Sequence, residues 1–491
     1  MPRSTTSVVT VLLLAAAAPA LHAQPRGDTL ATLSRAAAMV RTLGPELGPA
    51  IWPGFRPDTV PIVFVVRGSG SLLAGWPGPL PQGFVPVPGT PGLGWRGEAA
   101  PGAASTGTSL AGRAAAQVVV SSLDLPYLVP TAVHEAFHVF ERAAARRGRR
   151  FGAGESSSYV SRYPVQDVQA EADFALEGRV LAAALSAPTR AATLQRAREF
   201  AAVRERRHRR IPSEAAEFDR MAELNEGLAE YALVRTLERL ARDRDPAVAA
   251  AARRGLAEHR SRLERLTEDV RQSVRLRFYG TGPAMALLLD RLEGNGWKQR
   301  LVDENLTLQD ALALAAGYRE AETRLRTAAL RRHGGPRLAA EAAARVARLQ
   351  ALRQAQADSV LARPGVLLVI DARAMAQRDV GICGFDPQNL FRVSATVELH
   401  MRWVRPCNTS TTFGEISTAA VHDEQAGTIA TVIGAEADLR LTVGGQERTL
   451  ADGDRIEGAS EVKITTPVIT YQAGRATLAR TGRTLRVTLI P

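Results

Sequence analysis

Two histidines and a glutamate stand within the five-residue stretch "HEAFH" at positions 134–138. On a helix, His134 and His138 lie one turn apart on the same face, and their imidazoles can converge on one Zn²⁺ ion. Glu135 then lies next to a metal-bound water and can take its proton as the water attacks. The flanking residues are apolar, so we expect a buried helix, where polar side chains without partners are costly. The alternative is an ordinary buried helix whose polar residues meet other side chains.

A catalytic zinc site needs three protein ligands, and the best candidate for the third lies in "ELNEGLAEY" at 223–231. Glu226 and Glu230 are one helical turn apart, so both can face the same site. We expect Glu226 to bind the metal and Glu230 to accept a hydrogen bond from the other N–H of a ligating histidine. Glu171 and Glu177, on a helix predicted between the two motifs, are alternative ligands. Alternatively, Glu226 and Glu230 are solvated charges on the protein surface.

The order of these two motifs resembles the gluzincin branch of zinc metallopeptidases, which includes the alanyl aminopeptidase-like and thermolysin-like families. In that branch HExxH lies on one helix, and the third ligand is a Glu in an N-E-G or related motif on a later helix. The resemblance implies that His134, His138 and Glu226 bind zinc and that Glu135 is the general base. It also implies that Glu230 is hydrogen-bonded to one of the ligands. It also implies a zincin-like fold and the hydrolysis of peptide bonds.

The same resemblance implies a tyrosine that stabilises the oxyanion. Tyr279 in "FYGTGP" stands in a comparable place before a Gly-containing turn, and Tyr231 is the competing candidate. A core or hinge tyrosine is the alternative role. Two features depart from the family pattern. The interval 139–225 between His138 and Glu226 spans 87 residues, which predicts an inserted helical segment. The G-A/M-E-N signature of exopeptidases is absent, so aminopeptidase specificity is not implied.

The elements around these motifs predict an α+β protein, with a mainly helical domain that carries a small N-terminal sheet. The resemblance implies that this domain is zincin-like and catalytic. Buried strands are predicted at 60–66 and 115–123. Between them, the Gly- and Pro-rich stretch 71–95 predicts loop or short edge strand. The HEAFH helix is predicted over 129–148, with Pro130 at its start, where a missing N–H is tolerated.

Beyond the HEAFH helix the pattern is mainly helical. One helix is expected over 213–243, another over 245–278, and a turn at 279–283 precedes the next helix. A helical hairpin follows. Past Pro364, short β-like runs separated by Gly, Asn, Asp and Pro predict a C-terminal all-β sandwich or barrel domain. The predicted signal peptide, catalytic domain, helical extension and β domain occupy residues 1–23, 24–300, 301–363 and 364–491.

The N-terminal segment has the features of a secretory signal, with Arg3, an apolar run from Val8 to Ala18, and small residues after it. The run of about eleven residues is well short of the roughly twenty that span a bilayer. We therefore expect an exported protein, periplasmic or extracellular, with no transmembrane span after signal removal. In that compartment Cys383 and Cys407 either pair or remain two free buried thiols.

The distribution of charge along the chain argues against a nucleic-acid partner, although the chain is basic. The formal net charge is +12, and nearly all of the positive charge is Arg. The arginines alternate with Glu and Asp along predicted helices, which is typical of a solvated helix face. Arg-rich stretches at 142–150 and 204–210, and the β domain, are the candidates for contact with the cell envelope.

These features predict an exported zinc metallopeptidase that acts on a peptide or protein substrate. Two rival hypotheses remain. One is a catalytically inactive zincin-like protein that binds a partner or an envelope polymer. The other is a zinc hydrolase that acts on a non-peptide bond.

Overall fold

A computed structural model describes residues 27–97, 105–156, 159–160, 163–268, 274–319, 323–375, 381–386, 389–408 and 412–490. The predicted signal peptide lies outside these residues. The described part combines helices and strands and is an α+β protein. The described helices include none that is long and apolar enough to cross a membrane. Two compact units are present, Met1–Ala50 with Gly54–Val139, and Ile51–Pro53 with Phe140–Pro491.

The first unit contains a helix, α1 (Gly27–Ile51), and a six-stranded sheet. The strands are β1 Ile62–Val66, β2 Gly70–Ala74, β3 Val85–Pro86, β4 Leu93–Arg96, β5 Thr106–Leu110 and β6 Arg113–Val119. Their order is β3-β4-β2-β1-β6-β5. Strands β1 and β6 are parallel, and the other pairs are antiparallel. The predicted strands at 60–66 and 115–123 correspond to this central parallel pair.

The stretch 71–95 contributes more to the sheet than the sequence predicted. It supplies most of β2 and β4, and β2 lies between β1 and β4 rather than at an edge. Leu72, Leu73 and Trp95 are buried, so short apolar runs pair while the Gly and Pro residues between them form turns.

The HEAFH helix, α2, runs over Leu125–Ala144 and follows β6. It begins four residues earlier than predicted, and the backbone N–H groups of Tyr127 and Leu128 donate to the carbonyl of Asp124. Pro126, rather than Pro130, therefore stands in the first turn, where no N–H is needed. Pro130 lies inside the helix.

The second unit begins with a helical region. Its described helices are α3 Val168–Leu185, α4 Arg190–Arg210, α5 Ser213–Ala222, α6 Leu228–Leu240, α7 Pro246–Glu264, α8 Phe278–Glu293, α9 Gly296–Asp303, α10 Leu308–Ala316, α11 Thr323–His333 and α12 Gly335–Leu361. A π-helical segment, Glu223–Gly227, joins α5 to α6. The predicted helix at 213–243 is thus one run with a π segment at its centre.

Two predictions in this region are wrong. The helix expected over 245–278 ends at Glu264, and the turn expected at 279–283 lies inside α8. The glycines that suggested a turn instead allow α8 to approach another helix closely, as the site shows below.

The C-terminal region forms one 13-stranded sheet, β7 Leu367–Asp371, β8 Gly381–Phe385, β9 Leu390–Arg392, β10 Val397–His400, β11 Val404–Asn408, β12 Thr412–Ile416, β13 Ala420–Asp423, β14 Thr428–Val432, β15 Arg440–Val443, β16 Gln446–Arg448, β17 Arg455–Thr466, β18 Ile469–Thr481 and β19 Thr484–Leu489. A buried apolar cluster from β7, β17, β18 and β19 forms its core, including Ile370, Ile464, Leu478 and Val487. Cys383 and Cys407 are joined in a disulfide between the paired strands β8 and β11.

Candidate metal centre

Helix α2 holds both histidines of HEAFH inside the protein. His134 and His138 are each 5% exposed, and their ring centroids lie 4.9 Å apart with the rings nearly perpendicular. Glu135 is also 5% exposed. Phe137, on the same helix, is fully buried and packs edge-on against Phe55 at 5.1 Å. This apolar contact restrains the rotation of the helix about its axis, so the two imidazoles stay on the same side of it.

The π-helical segment places Glu226. A π turn adds a residue to the helical turn, and such turns are common at functional sites. Glu226 is 4% exposed and is followed by Gly227. A Cβ on Gly227 would lie 2.6 Å from the Cα of Gly282 in α8, and a Cβ on Gly282 would lie 2.4 Å from the Cα of Gly227. This close approach of the two backbones requires glycine at both positions, and it places the start of α8 beside Glu226.

Both carboxylate oxygens of Glu226 accept hydrogen bonds within the second unit. Arg275 donates to Oε1 at 2.6 Å, and the hydroxyl of Tyr279 donates to Oε2. Asn225 donates to Oε1 at 3.2 Å, and Arg275 also pairs with Glu155. Burial, and then the charge of Glu226, raise the pKa of Tyr279 well above its ordinary value, so the hydroxyl remains a donor.

The charge of Arg275 is maintained by its acidic neighbours. Burial disfavours the guanidinium charge, but the carboxylates of Glu226 and Glu155 outweigh burial and raise the pKa of Arg275. Burial raises the pKa of Glu155, against the effect of Arg275. Glu226 is therefore held by a permanent cation and a neutral hydroxyl.

The chemistry of the three side chains suits a metal ion. His134, His138 and Glu226 each offer one ligand atom, and these atoms all lie within 4.8 Å of one another. Two imidazole nitrogens and a carboxylate oxygen are the donor set of many catalytic zinc sites. All three side chains are buried, where charged and polar groups need partners.

The other sequence candidates have different surroundings. Glu230 is buried and accepts a hydrogen bond from Arg262 at 3.1 Å, and His259 lies 3.3 Å from it. The hydroxyl of Tyr231 donates to Asp290 at 2.7 Å. Tyr279, unlike Tyr231, contacts Glu226 and also lines a cavity of about 420 Å³.

The two alternative ligands are engaged by arginines. Arg277 binds both oxygens of Glu171, at 2.6 and 2.9 Å. Glu177 is fully buried and pairs with Arg204 and Arg207 at 2.8 and 2.7 Å. Both residues therefore form ion pairs in the helical region, and it is Glu226, not Glu171 or Glu177, that is grouped with His134 and His138.

Sequence reasoning missed Arg275 and Glu155, which follow no motif. It also missed a contact role for Gly282. The local signal for this contact is the Gly-x-Gly spacing in "FYGTGP", a pattern that also predicts a turn. Comparison with protein-family models, curated proteins and solved structures finds no match to this chain.

Proposed function

We propose that this protein is an exported zinc metallopeptidase with a zincin-like catalytic part, and that His134, His138 and Glu226 bind the zinc. The observation that carries the proposal is the buried set of two imidazoles and one carboxylate, with Glu135 on the same helix. Three protein ligands are the number typical of a catalytic zinc site.

In this proposal the zinc, when bound, supplies a Lewis acid and lowers the pKa of water toward neutrality. Glu135 takes a proton from the attacking water and passes it to the leaving amine. Arg275 holds the carboxylate of Glu226 in one orientation. Tyr279, whose hydroxyl stays protonated, transfers its hydrogen bond from Glu226 to the carbonyl oxygen of the substrate as negative charge develops there. The substrate is a peptide or protein.

The substitution Glu135→Gln tests the reaction. Glutamine keeps the shape of the side chain but cannot accept the proton, so peptide hydrolysis should fall by about 10²- to 10⁴-fold. The zinc content should not change, because Glu135 is not a ligand. Cleavage of an unbiased peptide library, together with elemental analysis of each protein, gives both quantities.

Arg142→Gln, in the last turn of the same helix, is the matched control and should keep both zinc and activity. A wild-type protein that binds zinc but cleaves no peptide would contradict the proposal and favour a binding protein or a hydrolase of another bond. Equal activity of the wild type and Glu135→Gln would exclude Glu135 as the general base.

A further inference from the structure

A second group of metal-binding side chains lies in the C-terminal sheet. Glu398 and His400 stand two residues apart on β10, so both point to the same face of the sheet. His422, on the antiparallel strand β13, is directly opposite Glu398. The strand geometry alone therefore gathers three potential ligands on one face, and their ligand atoms lie within 4.8 Å of one another.

All three side chains are removed from solvent. His400 is 1%, Glu398 5% and His422 8% exposed. Within the described part of the chain, neither ring nitrogen of His400 makes a hydrogen bond, nor does Nδ1 of His422. Buried imidazole nitrogens without hydrogen bonds are unfavourable, so this arrangement needs a partner that the described side chains do not provide.

The separations fit a shared ion better than direct hydrogen bonds. Oε2 of Glu398 lies 3.8 Å from Nε2 of His400 and 3.7 Å from Nδ1 of His422. These distances exceed a hydrogen bond. Tetrahedral zinc, with bonds of about 2.0–2.1 Å, places two ligand atoms about 3.4 Å apart. The two measured separations are only slightly longer than that value.

The carboxylate is oriented for such an ion. Arg392, opposite Glu398 on β9, donates to Oε1 at 2.9 Å, which leaves Oε2 directed at the two imidazoles. Phe385 packs edge-on against the ring of His400 at 6.2 Å and limits its rotation. Arg392 thus orients the carboxylate of Glu398, and Phe385 restrains the ring of His400. Neighbouring residues orient the ligands of established metal sites in the same way.

We propose that Glu398, His400 and His422 form a second metal site, which binds one divalent transition-metal ion of the class that imidazole and carboxylate ligands select. Zinc is the probe, because mixed nitrogen and oxygen donors suit it. The ion links β10 to β13 and stabilises the C-terminal sheet. The site shares no residue with the proposed catalytic centre, so its existence does not depend on that centre.

The main measurement uses the full chain with His134→Ala and His138→Ala, which leaves the second site intact. Equilibrium dialysis against Zn²⁺ at pH 7.5, followed by elemental analysis, should find about one zinc per chain. Adding His422→Gln should abolish this zinc, and adding Glu398→Gln should weaken its binding by at least about tenfold. Adding His333→Gln, which removes a histidine outside both clusters, should leave it unchanged.

Two outcomes overturn the proposal. One is no zinc in the double variant, and the other is full zinc retention after His422→Gln. Circular dichroism establishes that each variant is folded. If a variant is unfolded, the unsubstituted protein still decides the question. Zinc should raise the melting temperature of its C-terminal sheet, and its zinc content should fall by about one ion per chain with His422→Gln alone. An equal zinc content before and after this substitution would contradict a second site.

Discussion

At the scale of single residues, the most informative side chain is Glu226. Its carboxylate binds a guanidinium through one oxygen and a tyrosine hydroxyl through the other. A buried carboxylate held in this way has one fixed orientation, which a zinc ligand needs. Glu171 has a comparable setting, because it is buried and bound by Arg277 through both oxygens. The two residues are therefore a matched pair for a ligand test.

Glu226→Gln should lose most of the zinc at the HEAFH site, whereas Glu171→Gln should retain it. The amide is a weaker metal ligand than the carboxylate and carries no charge. Both substitutions remove one acidic partner from an arginine, Arg275 or Arg277, and the melting temperature of each variant establishes that it is folded. Zinc content by elemental analysis in the His422→Gln background isolates this site. Loss of zinc from Glu171→Gln, with retention in Glu226→Gln, would reverse the ligand assignment.

At the scale of elements, the sequence predicted what short-range patterns encode. HEAFH lies on a helix and the C-terminal runs form strands, because periodicity and turn residues act over a few positions. The π turn at Glu226 and the approach of Gly227 to Gly282 depend on segments far apart in the chain. No local pattern distinguishes a glycine in a turn from a glycine at a helix crossing, which explains the wrong prediction at 279–283.

The cluster in the C-terminal sheet shows the same limit of prediction from local sequence. Glu398 and His400 are near in sequence, and their common face follows from strand alternation. His422 reaches them only through the pairing of β10 with β13. Register between strands is set by the whole sheet and its buried face, so a single sequence does not reveal it.

The helix crossing gives a prediction for Gly282→Ala. The new methyl group would meet the backbone of Gly227, which no side-chain rotation can relieve, so the helices must separate. Overpacking of this kind costs about 1–3 kcal/mol. Separation also moves Tyr279 away from Glu226. We expect a lower melting temperature and weaker zinc binding at the HEAFH site.

Gly255→Ala is the control for this prediction. Gly255 also lies within a helix, but its Cβ would lie 3.3 Å from a methyl group of Leu237, a flexible side chain. Alanine gains about 1 kcal/mol in helix propensity over glycine. This variant should be as stable as the wild type or more so. If both variants melt and bind zinc alike, the glycine contact does not position the site.

At the scale of the whole molecule, buried charges connect the helical region of the second unit. Arg204 pairs with Glu177 and Glu223, and Arg207 pairs with Glu177 and Asp219. These contacts join α3, α4, α5 and the π segment. Because removing one partner of a buried pair costs about 3–5 kcal/mol, the network constrains the π segment that carries Glu226.

The same network makes stability depend on pH through His208, which lies 3.0 Å from Asp219 with Arg207 and Arg204 nearby. Burial, reinforced by the two arginines and opposed by Asp219, lowers the pKa of His208 from 6.5 to about 4. Between these values the unfolded chain binds a proton that the folded chain does not. The free energy of unfolding therefore decreases as the pH falls from 6.5 toward 4, by about 2 kcal/mol at pH 4.5.

His208→Asn removes this titration and keeps an amide that can donate to Asp219. Calorimetry at pH 7.5 and pH 4.5 should show a larger fall in melting temperature for the wild type than for the variant. The difference should be about 4–8 °C, since 1 kcal/mol corresponds to about 2–4 °C in a region of this size. Titrating groups that do not interact with His208, including the proposed metal ligands, affect both proteins equally. Parallel pH profiles would therefore show that His208 is protonated alike in the folded and unfolded chains.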